Sequence, residues 1–192
     1  MDSVDGINKT VYADITKSDS QQLKDIYTKN LNYGGAIDDY LDRLFSNGEY
    51  IGIKCIKENS IQAVFLCSKG INFTIPKQLL EDKIKEKTLG KIVYTLDMIF
   101  TKKKMRNRGM QKEMTELAKA RLIEKKASFL LAEQWIPYDR KEPEYSLKNH
   151  FSREIGIITD LQFYKGIESN DVYCPLCKSN CKCGAKIVLY EI

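Results

Sequence analysis

Four cysteines fall within ten residues, as Cys174-Pro175-Leu176-Cys177 and Cys181-Lys182-Cys183. Thiolates at this density suit a tetrahedral zinc site, and a C-P-x-C turn leaves backbone N–H groups free to point at the sulfurs. Cys174, Cys177, Cys181 and Cys183 would fill the whole coordination shell, so the expected role of Zn2+ is structural rather than catalytic. Disulfides and an iron–sulfur cluster are the other chemistries open to the same residues. The two remaining cysteines, Cys55 and Cys67, lie in separate apolar runs and read as buried free thiols.

A second segment carries chemistry of a different kind. Residues 99–117 read IFTKKKMRNRGMQKEMTEL. An apolar strand ends, a lysine-rich turn follows, and a helix opens just after Gly109. The first turn of a helix presents unpaired N–H groups and the positive end of the dipole. A glycine there lets a ligand approach the backbone, and basic side chains around it reinforce phosphate binding. The arrangement suits a diphosphate. The spacing is neither that of a P-loop nor that of a dinucleotide fingerprint. Between residues 100 and 126 there are ten basic and three acidic residues, which makes this segment the basic centre of a chain whose net charge is only +5. That points to a bound anion or to a solvated lysine-rich helix face more than to a general polyanion surface.

The elements that position these residues follow from periodicity. Residues 10–16 alternate as a strand, and Leu23, Ile26 and Tyr27 give the next segment helical spacing. Gly34-Gly35 break it, and a second helix runs over 36–45 with Ile37, Tyr40, Leu41 and Leu44 on one face. Residues 50–56 and 61–67 form an antiparallel hairpin about a short turn at 58–60. Residues 75–86 read as a helix or an irregular excursion. Residues 91–100 (KIVYTLDMIF) are a central strand, interrupted by the charged Asp97. Residues 110–126 are the clearest helix, with Met110, Met114, Leu117, Ala118 and Leu122 as its buried stripe. Residues 128–135 are a strand that carries Glu133 and Trp135. A helix is expected over 145–155, stopped by Gly156, and strands over 158–167 and 186–192. The expected class is α/β (α+β): a mixed, mostly antiparallel sheet flanked by helices, with one parallel crossover and a zinc knuckle between the last two strands.

A length of 192 residues, 43% hydrophobic and 30% charged, fits one globular domain and excludes a disordered or fibrous chain. We expect a flexible tail over 1–9 and a single domain over 10–192, with 173–185 as the zinc-binding loop. No apolar run approaches the ~20 residues of a membrane helix. Residues 1–8 contain Asp2 and Asp5 and no apolar block, so no secretory signal is expected and the cytoplasm is the simplest location.

With the elements in this order, residues 106–111 resemble motif A of the GNAT superfamily, the acetyl-CoA-dependent N-acetyltransferases. Its pattern is [R/Q]-x-x-G-x-[G/A]; Arg106, Gly109 and Gln111 occupy the three positions, Gln111 replacing the usual small residue. The order of elements extends the resemblance over 10–192, and the cysteine loop is an addition to the family pattern. The resemblance implies that the CoA pyrophosphate rests on the N–H groups of residues 108–112, so that Arg106, Arg108, Gly109, Met110, Gln111 and Lys112 form the cofactor site. The pantetheine arm would lie along the strand end at Ile99 and Thr101, where strand 128–135 separates from it. The reaction implied is direct acetyl transfer from acetyl-CoA to an amine. Its base would be Asp97 or Glu133. The family pattern F-Y-x-x-x-G-F aligns with residues 151–157, where Ser152 stands at the tyrosine position, so Tyr145 or Tyr138 would have to act as the acid.

Two other functions compete: a zinc ribbon that binds nucleic acid, and a GNAT fold that binds an acyl-CoA without turnover. The cysteine segment has few basic residues and only Tyr173 for base stacking, which disfavours nucleic acid. Residues 1–50 hold nine acidic and five basic residues, which favours a cationic acceptor if they line the acceptor side. No membrane partner is expected, and the sequence leaves the oligomeric state open.

Overall fold

Seven strands of one sheet take the order β1-β2-β3-β4-β5-β7-β6. The structure is a computed structural model, and it describes residues 10–31, 37–72, 78–143, 147–165, 176–177 and 181–192. The strands are β1 (Val11–Asp14), β2 (Tyr50–Lys57), β3 (Ser60–Lys69), β4 (Val93–Thr101), β5 (Phe129–Ile136), β6 (Arg153–Asp160) and β7 (Gly184–Glu191). Four α-helices accompany them: α1 (Ser20–Ile26), α2 (Ile37–Asn47), α3 (Gln78–Lys87) and α4 (Met110–Glu124). Every strand pairing is antiparallel except β4 with β5, which the α4 crossover joins in parallel. The mixed α/β sheet with one parallel crossover is the architecture expected from periodicity.

Three apolar clusters cover the two faces of the sheet. On one face Met110, Met114, Ala118 and Leu122 of α4 pack on Ile51, Ile53, Phe65, Tyr94, Leu96 and Leu130. On the other, α1 and α2 bring Leu23, Ile26, Leu41 and Leu44 onto Val64, Leu66, Met98 and Phe100. Further along that second face, Leu80 and Ile84 of α3 meet Val93, Leu131, Phe163, Ile187 and Leu189. Cys55 and Cys67 are buried free thiols, as expected.

Several elements differ from the sequence expectation. The excursion after β3 contains a regular helix, α3. In α4 the buried stripe takes Thr115 in place of Leu117, which is exposed; the Thr115 hydroxyl is satisfied by donating to the Gln111 carbonyl at 2.8 Å. The helix expected over 145–155 is not there in the described part. Residues 148–150 form a turn and β6 begins at Arg153. Leu147, Phe151 and Ile155 have helical spacing, but pairing of β6 with β7 from Arg153↔Glu191 onward extends the sheet and overrides it. Gly156 lies inside β6 and stops no helix, and the turns at 161–165 replace the second half of the strand expected over 158–167. The expected tail at 1–9 and the Gly34-Gly35 break lie outside the described residues, as do Tyr145 and Cys174.

Candidate active site

The pairing of β4 with β5 lasts for three residues: Val93↔Phe129, Tyr94↔Leu130 and Thr95↔Leu131. Beyond Thr95, β4 stays bonded to β3 as far as Thr101↔Ala63, and β5 stays bonded to β7 as far as Ile136↔Gly184. The two strands therefore part at their C-terminal ends and leave a wedge in the middle of the sheet. Along its inner edges run backbone N–H and C=O groups that no strand among the described residues pairs, and an extended ligand can bond them.

A bulge in β4 sets a carboxylate on the α2 face of the sheet, on the stretch of strand that borders this wedge. Leu66 opposes Met98 and Cys67 opposes Leu96, so Asp97 is the extra residue. Tyr94, Leu96 and Ile99 pack on the α4 side, whereas Met98 and Phe100 pack on the α2 side. The alternation slips between Leu96 and Ile99, and Asp97 joins Met98 on the α2 face. There the Ser68 hydroxyl donates to Asp97 Oδ1 at 3.1 Å, and Asn72 Nδ2 donates to Ser68 Oγ at 3.1 Å. The backbone N–H of Asn72 is held in turn by the Thr95 hydroxyl oxygen at 3.0 Å. Among the described residues Asp97 Oδ2 is buried and makes no close hydrogen bond, and the buried Tyr40 hydroxyl faces this carboxyl from α2. Burial pushes the Asp97 carboxyl up to about 7, against the opposing pull of the Ser68 and Tyr40 hydroxyls. Burial also keeps Tyr40 neutral, its pKa far above the usual phenol value.

Glu133 occupies the corresponding stretch of β5. Ala132 belongs to the α4-side cluster and Leu131 to the α3 side, so Glu133 shares the sheet face of Asp97. It is half-buried, and Tyr164, in the turn after β6, donates its hydroxyl to Glu133 Oε1. On the opposite face Gln134 donates to the Tyr190 hydroxyl at 2.8 Å, and that hydroxyl also receives the N–H of Leu147 at 3.2 Å.

The turn that follows β4 is pinned at both ends. Met105 and Met110 are buried in the α4-side core, and Arg106, Asn107, Arg108 and Gly109 between them are exposed. Asn107 (φ 61°) and Gly109 (φ 79°) are both left-handed. Right-handed helix follows Gly109 at once, a change of hand of the kind that gathers N–H groups around an anion. Among the described residues no side chain caps α4, which leaves its first N–H groups open to a ligand or to water. Arg106 donates Nε to the Thr101 carbonyl at 3.3 Å, which folds the turn back over the strand end. Of the residues expected to hold cofactor, Arg106, Arg108, Gly109 and Lys112 are exposed here, Ile99, Thr101 and Gln111 are half-buried, and Met110 offers only its backbone.

Cys177, Cys181 and Cys183 converge. Their sulfurs all lie within 4.8 Å of one another, a set that can hold a metal ion. Cys177 and Cys183 are 3.6 Å apart, far beyond a disulfide bond. The N–H of Lys182 donates to Cys177 Sγ and that of Cys183 to Cys181 Sγ, each at 3.4 Å. Such bonds stabilise thiolates and fit a metal-binding loop.

The remaining expected residues are placed as follows. Ser152 donates its hydroxyl to the Glu191 carbonyl at 2.9 Å at the entry to β6, so the alignment of 151–157 with a helical motif does not hold. Tyr138 is exposed beyond β5. His150 pairs with Glu116 at 2.8 Å and ties its turn to α4. Sequence reasoning missed Ser68, Asn72 and Tyr164, and took Tyr40 for an apolar helix residue. The only signal for these partners is their register across the sheet.

No protein-family profile and no curated protein matches the chain. Solved structures do. Arabidopsis thaliana NAA60 in complex with acetyl-CoA superposes with a TM-score of 0.64 over 96% of this chain and 99% of its own, at 10% identity. The fold is the GNAT fold. A mosquito arylalkylamine N-acetyltransferase, like 5b, gives 0.64 over 96% of this chain and 100% of its own at 9% identity. A chain of the NatC complex bound to Gag peptide and CoA gives 0.63 over 96% and 99% at 11% identity. Among the described residues, no helix is long and apolar enough to cross a membrane.

Proposed function

We propose that this protein is an N-acetyltransferase that moves an acetyl group from acetyl-CoA directly to an amine. The observation that carries the reading is the convergence on β4 of three features: an open strand edge beyond Thr95, a desolvated carboxylate with one buried oxygen free of close hydrogen bonds at its bulge, and an uncapped helix N-terminus after its end. An extended thioester in the wedge would bond the backbone around Ile99 and Thr101. Its pyrophosphate would rest on the N–H groups of residues 108–112, with Arg106, Arg108 and Lys112 neutralising charge.

Transfer requires the amine to reach the thioester carbonyl without its proton. In our reading Asp97 accepts that proton, directly or through one water, on Oδ2. A carboxylate poised near neutrality suits the task, since general bases work best when their pKa lies near the working pH. The amine nitrogen bonds the carbonyl carbon, the C–S bond breaks, and the thiolate leaves as the CoA thiol after taking a proton. Glu133 lies on the same sheet face across the wedge and would orient the acceptor. Tyr145 remains the candidate acid from the sequence. We assign acetyl transfer to an acceptor of cationic character because α2 opens with Asp38 and Asp39 and buries its face beside Asp97. Part of this acidity is already neutralised, since Lys24 holds Asp38 at 2.5 Å and Lys69 holds Glu49 at 2.5 Å.

For the cysteine loop we propose structural Zn2+ on Cys177, Cys181, Cys183 and Cys174, the last supplied from outside the described residues. Zinc there would supply no chemistry beyond cross-linking the loop. The test of function is acetyl-CoA turnover against small amines and peptide N-termini, read by free thiol release and by the added acetyl mass on the acceptor. Stabilisation by acetyl-CoA without release of thiol for any amine would instead indicate a non-catalytic acyl-CoA binder.

A further inference from the structure

The cysteine loop and the β5 carboxylate are joined through Cys183 and Tyr164. Cys183 is buried and places its sulfur in the cysteine cluster. Its N–H donates to Cys181 Sγ at 3.4 Å, and its carbonyl receives the N–H of Tyr164 at 3.2 Å. Tyr164 in turn donates its hydroxyl to Glu133 Oε1. Four features therefore follow in line: the sulfurs, the Cys183 peptide, the Tyr164 backbone and ring, and the carboxylate on β5.

The surroundings leave this line little freedom. Phe163 is buried against Ala185 and Leu80 in the α3-side core, and its ring meets that of Tyr164 edge-on at 5.0 Å. Gly184, between Cys183 and β7, lies so close to the backbone of Asp160 and Leu161 that a Cβ there would collide with it. The turn that carries Tyr164 is thus pressed against the chain leaving the cysteine cluster. A displacement of Cys183 has no slack in which to dissipate before it reaches Tyr164.

We propose that metal binding by the cysteine cluster positions Tyr164, and through it Glu133, so that the loop sets acceptor recognition as well as holding the final hairpin. Tyr164 is a positioning residue in this scheme. The proposal rests on the reading that Glu133 faces the acceptor. With the metal bound, Cys183 is fixed, Tyr164 is held at its N–H, and Glu133 is held by the Tyr164 hydroxyl. Without it the three sulfurs repel or rotate apart, the Cys183 carbonyl shifts, and Glu133 loses its orienting donor. The acetyl-CoA site, on α4 and the β4 edge, has no link in this line.

The test uses the full chain, as purified, stripped with a zinc chelator, and reloaded with Zn2+. Wild type and Tyr164→Phe are compared in each form. In wild type, stripping should raise the acceptor KM ~10-fold, the scale of one lost hydrogen bond to a charged group. It should leave acetyl-CoA stabilisation unchanged, and Zn2+ should restore the KM. Tyr164→Phe should start with the raised KM and lose nothing further on stripping, because effects along one line are not additive. An equal further loss in Tyr164→Phe would overturn the proposal, as would full acceptor recognition in stripped wild type or protein that binds no zinc.

A second readout needs no turnover. In protein labelled with fluorotyrosine, the 19F resonance lost in Tyr164→Phe should move on stripping and also in Glu133→Gln. If it moves while no amine is acetylated, the assigned function fails and the coupling stands. If it stays in place on stripping, the coupling fails whatever the activity.

Discussion

Asp97 and Glu133 break otherwise apolar strands on the same sheet face, one on each side of the wedge, yet the fold treats them differently. Asp97 is enclosed. Among the described residues the Ser68 hydroxyl donates to one oxygen, and the second is buried and makes no close hydrogen bond, with the Tyr40 hydroxyl facing the group. Glu133 as a residue is half-buried, as Asp97 is, but takes a hydroxyl from Tyr164, in the turn after β6. Enclosure raises the proton affinity of a carboxylate, whereas a donor from a neighbouring turn orients it. The first environment suits proton transfer and the second suits holding a ligand in place. The two residues cannot be told apart by sequence, because both are single acidic residues in β-rich runs.

The largest effect expected is on turnover. Asp97→Asn should lower kcat/KM for the amine by ~10²–10⁴, the usual contribution of a positioned general base. Glu133→Gln should mainly raise the acceptor KM. Thiol-release kinetics of both variants would invert the comparison if Glu133→Gln lost more in kcat than Asp97→Asn.

Next in size is the acetyl-CoA site. Gly109 has room for a Cβ but is left-handed (φ 79°), so a β-branched residue there is strained by ~1–3 kcal/mol. Gly109→Val should abolish the rise in melting temperature on adding acetyl-CoA, because relief of that strain turns the first N–H groups of α4 away. A variant that folds and still responds as wild type would move the pyrophosphate elsewhere.

Cys177→Ser should lose zinc and loosen the final hairpin. In amide exchange β7 should then open before β4, while the rise in melting temperature with acetyl-CoA persists. Loss of that response would tie the two halves of the sheet together more tightly than their contacts suggest.

Smaller, but diagnostic of enclosure, is the pH dependence. The Asp97 carboxyl titrates near 7 in the folded protein against an ordinary 3.8. Between those values the native state keeps a proton that the unfolded chain has released. Stability therefore falls as pH rises through this window and levels off above about 7. At ~1.4 kcal/mol per pH unit the cost reaches a few kcal/mol. Asp97→Asn should flatten the profile and be the more stable protein at pH 8, measured by urea unfolding at pH 5 and 8. The acid limb of kcat/KM should fall near 7 in wild type. Ser68→Ala removes a donor to the charged form and should shift that limb upward by about one pH unit. An unmoved limb would remove Ser68 from the account of the base.

What the sequence determined by itself is local. Period-two runs and β-branched, aromatic stretches marked six of the seven strands, period 3.6 marked α4, the Arg106–Gln111 turn stood out by its charge and glycine, and the cysteines marked their loop by spacing alone. These signals lie within a few residues of one another, where backbone geometry and side-chain pattern are coupled directly. Residues 145–155 show the limit of that coupling. Their apolar spacing suits a helix, but a free β7 edge offered more hydrogen bonds, and β6 formed. Only tertiary structure decided where β4 and β5 part, that the bulge turns Asp97 toward Tyr40, that Ser68 and Asn72 stand behind it, and that the Cys183 carbonyl reaches Tyr164. Each depends on register between strands distant in sequence. A shift of one residue would send the same side chains to the opposite face, and the sequence of either strand alone does not encode that choice.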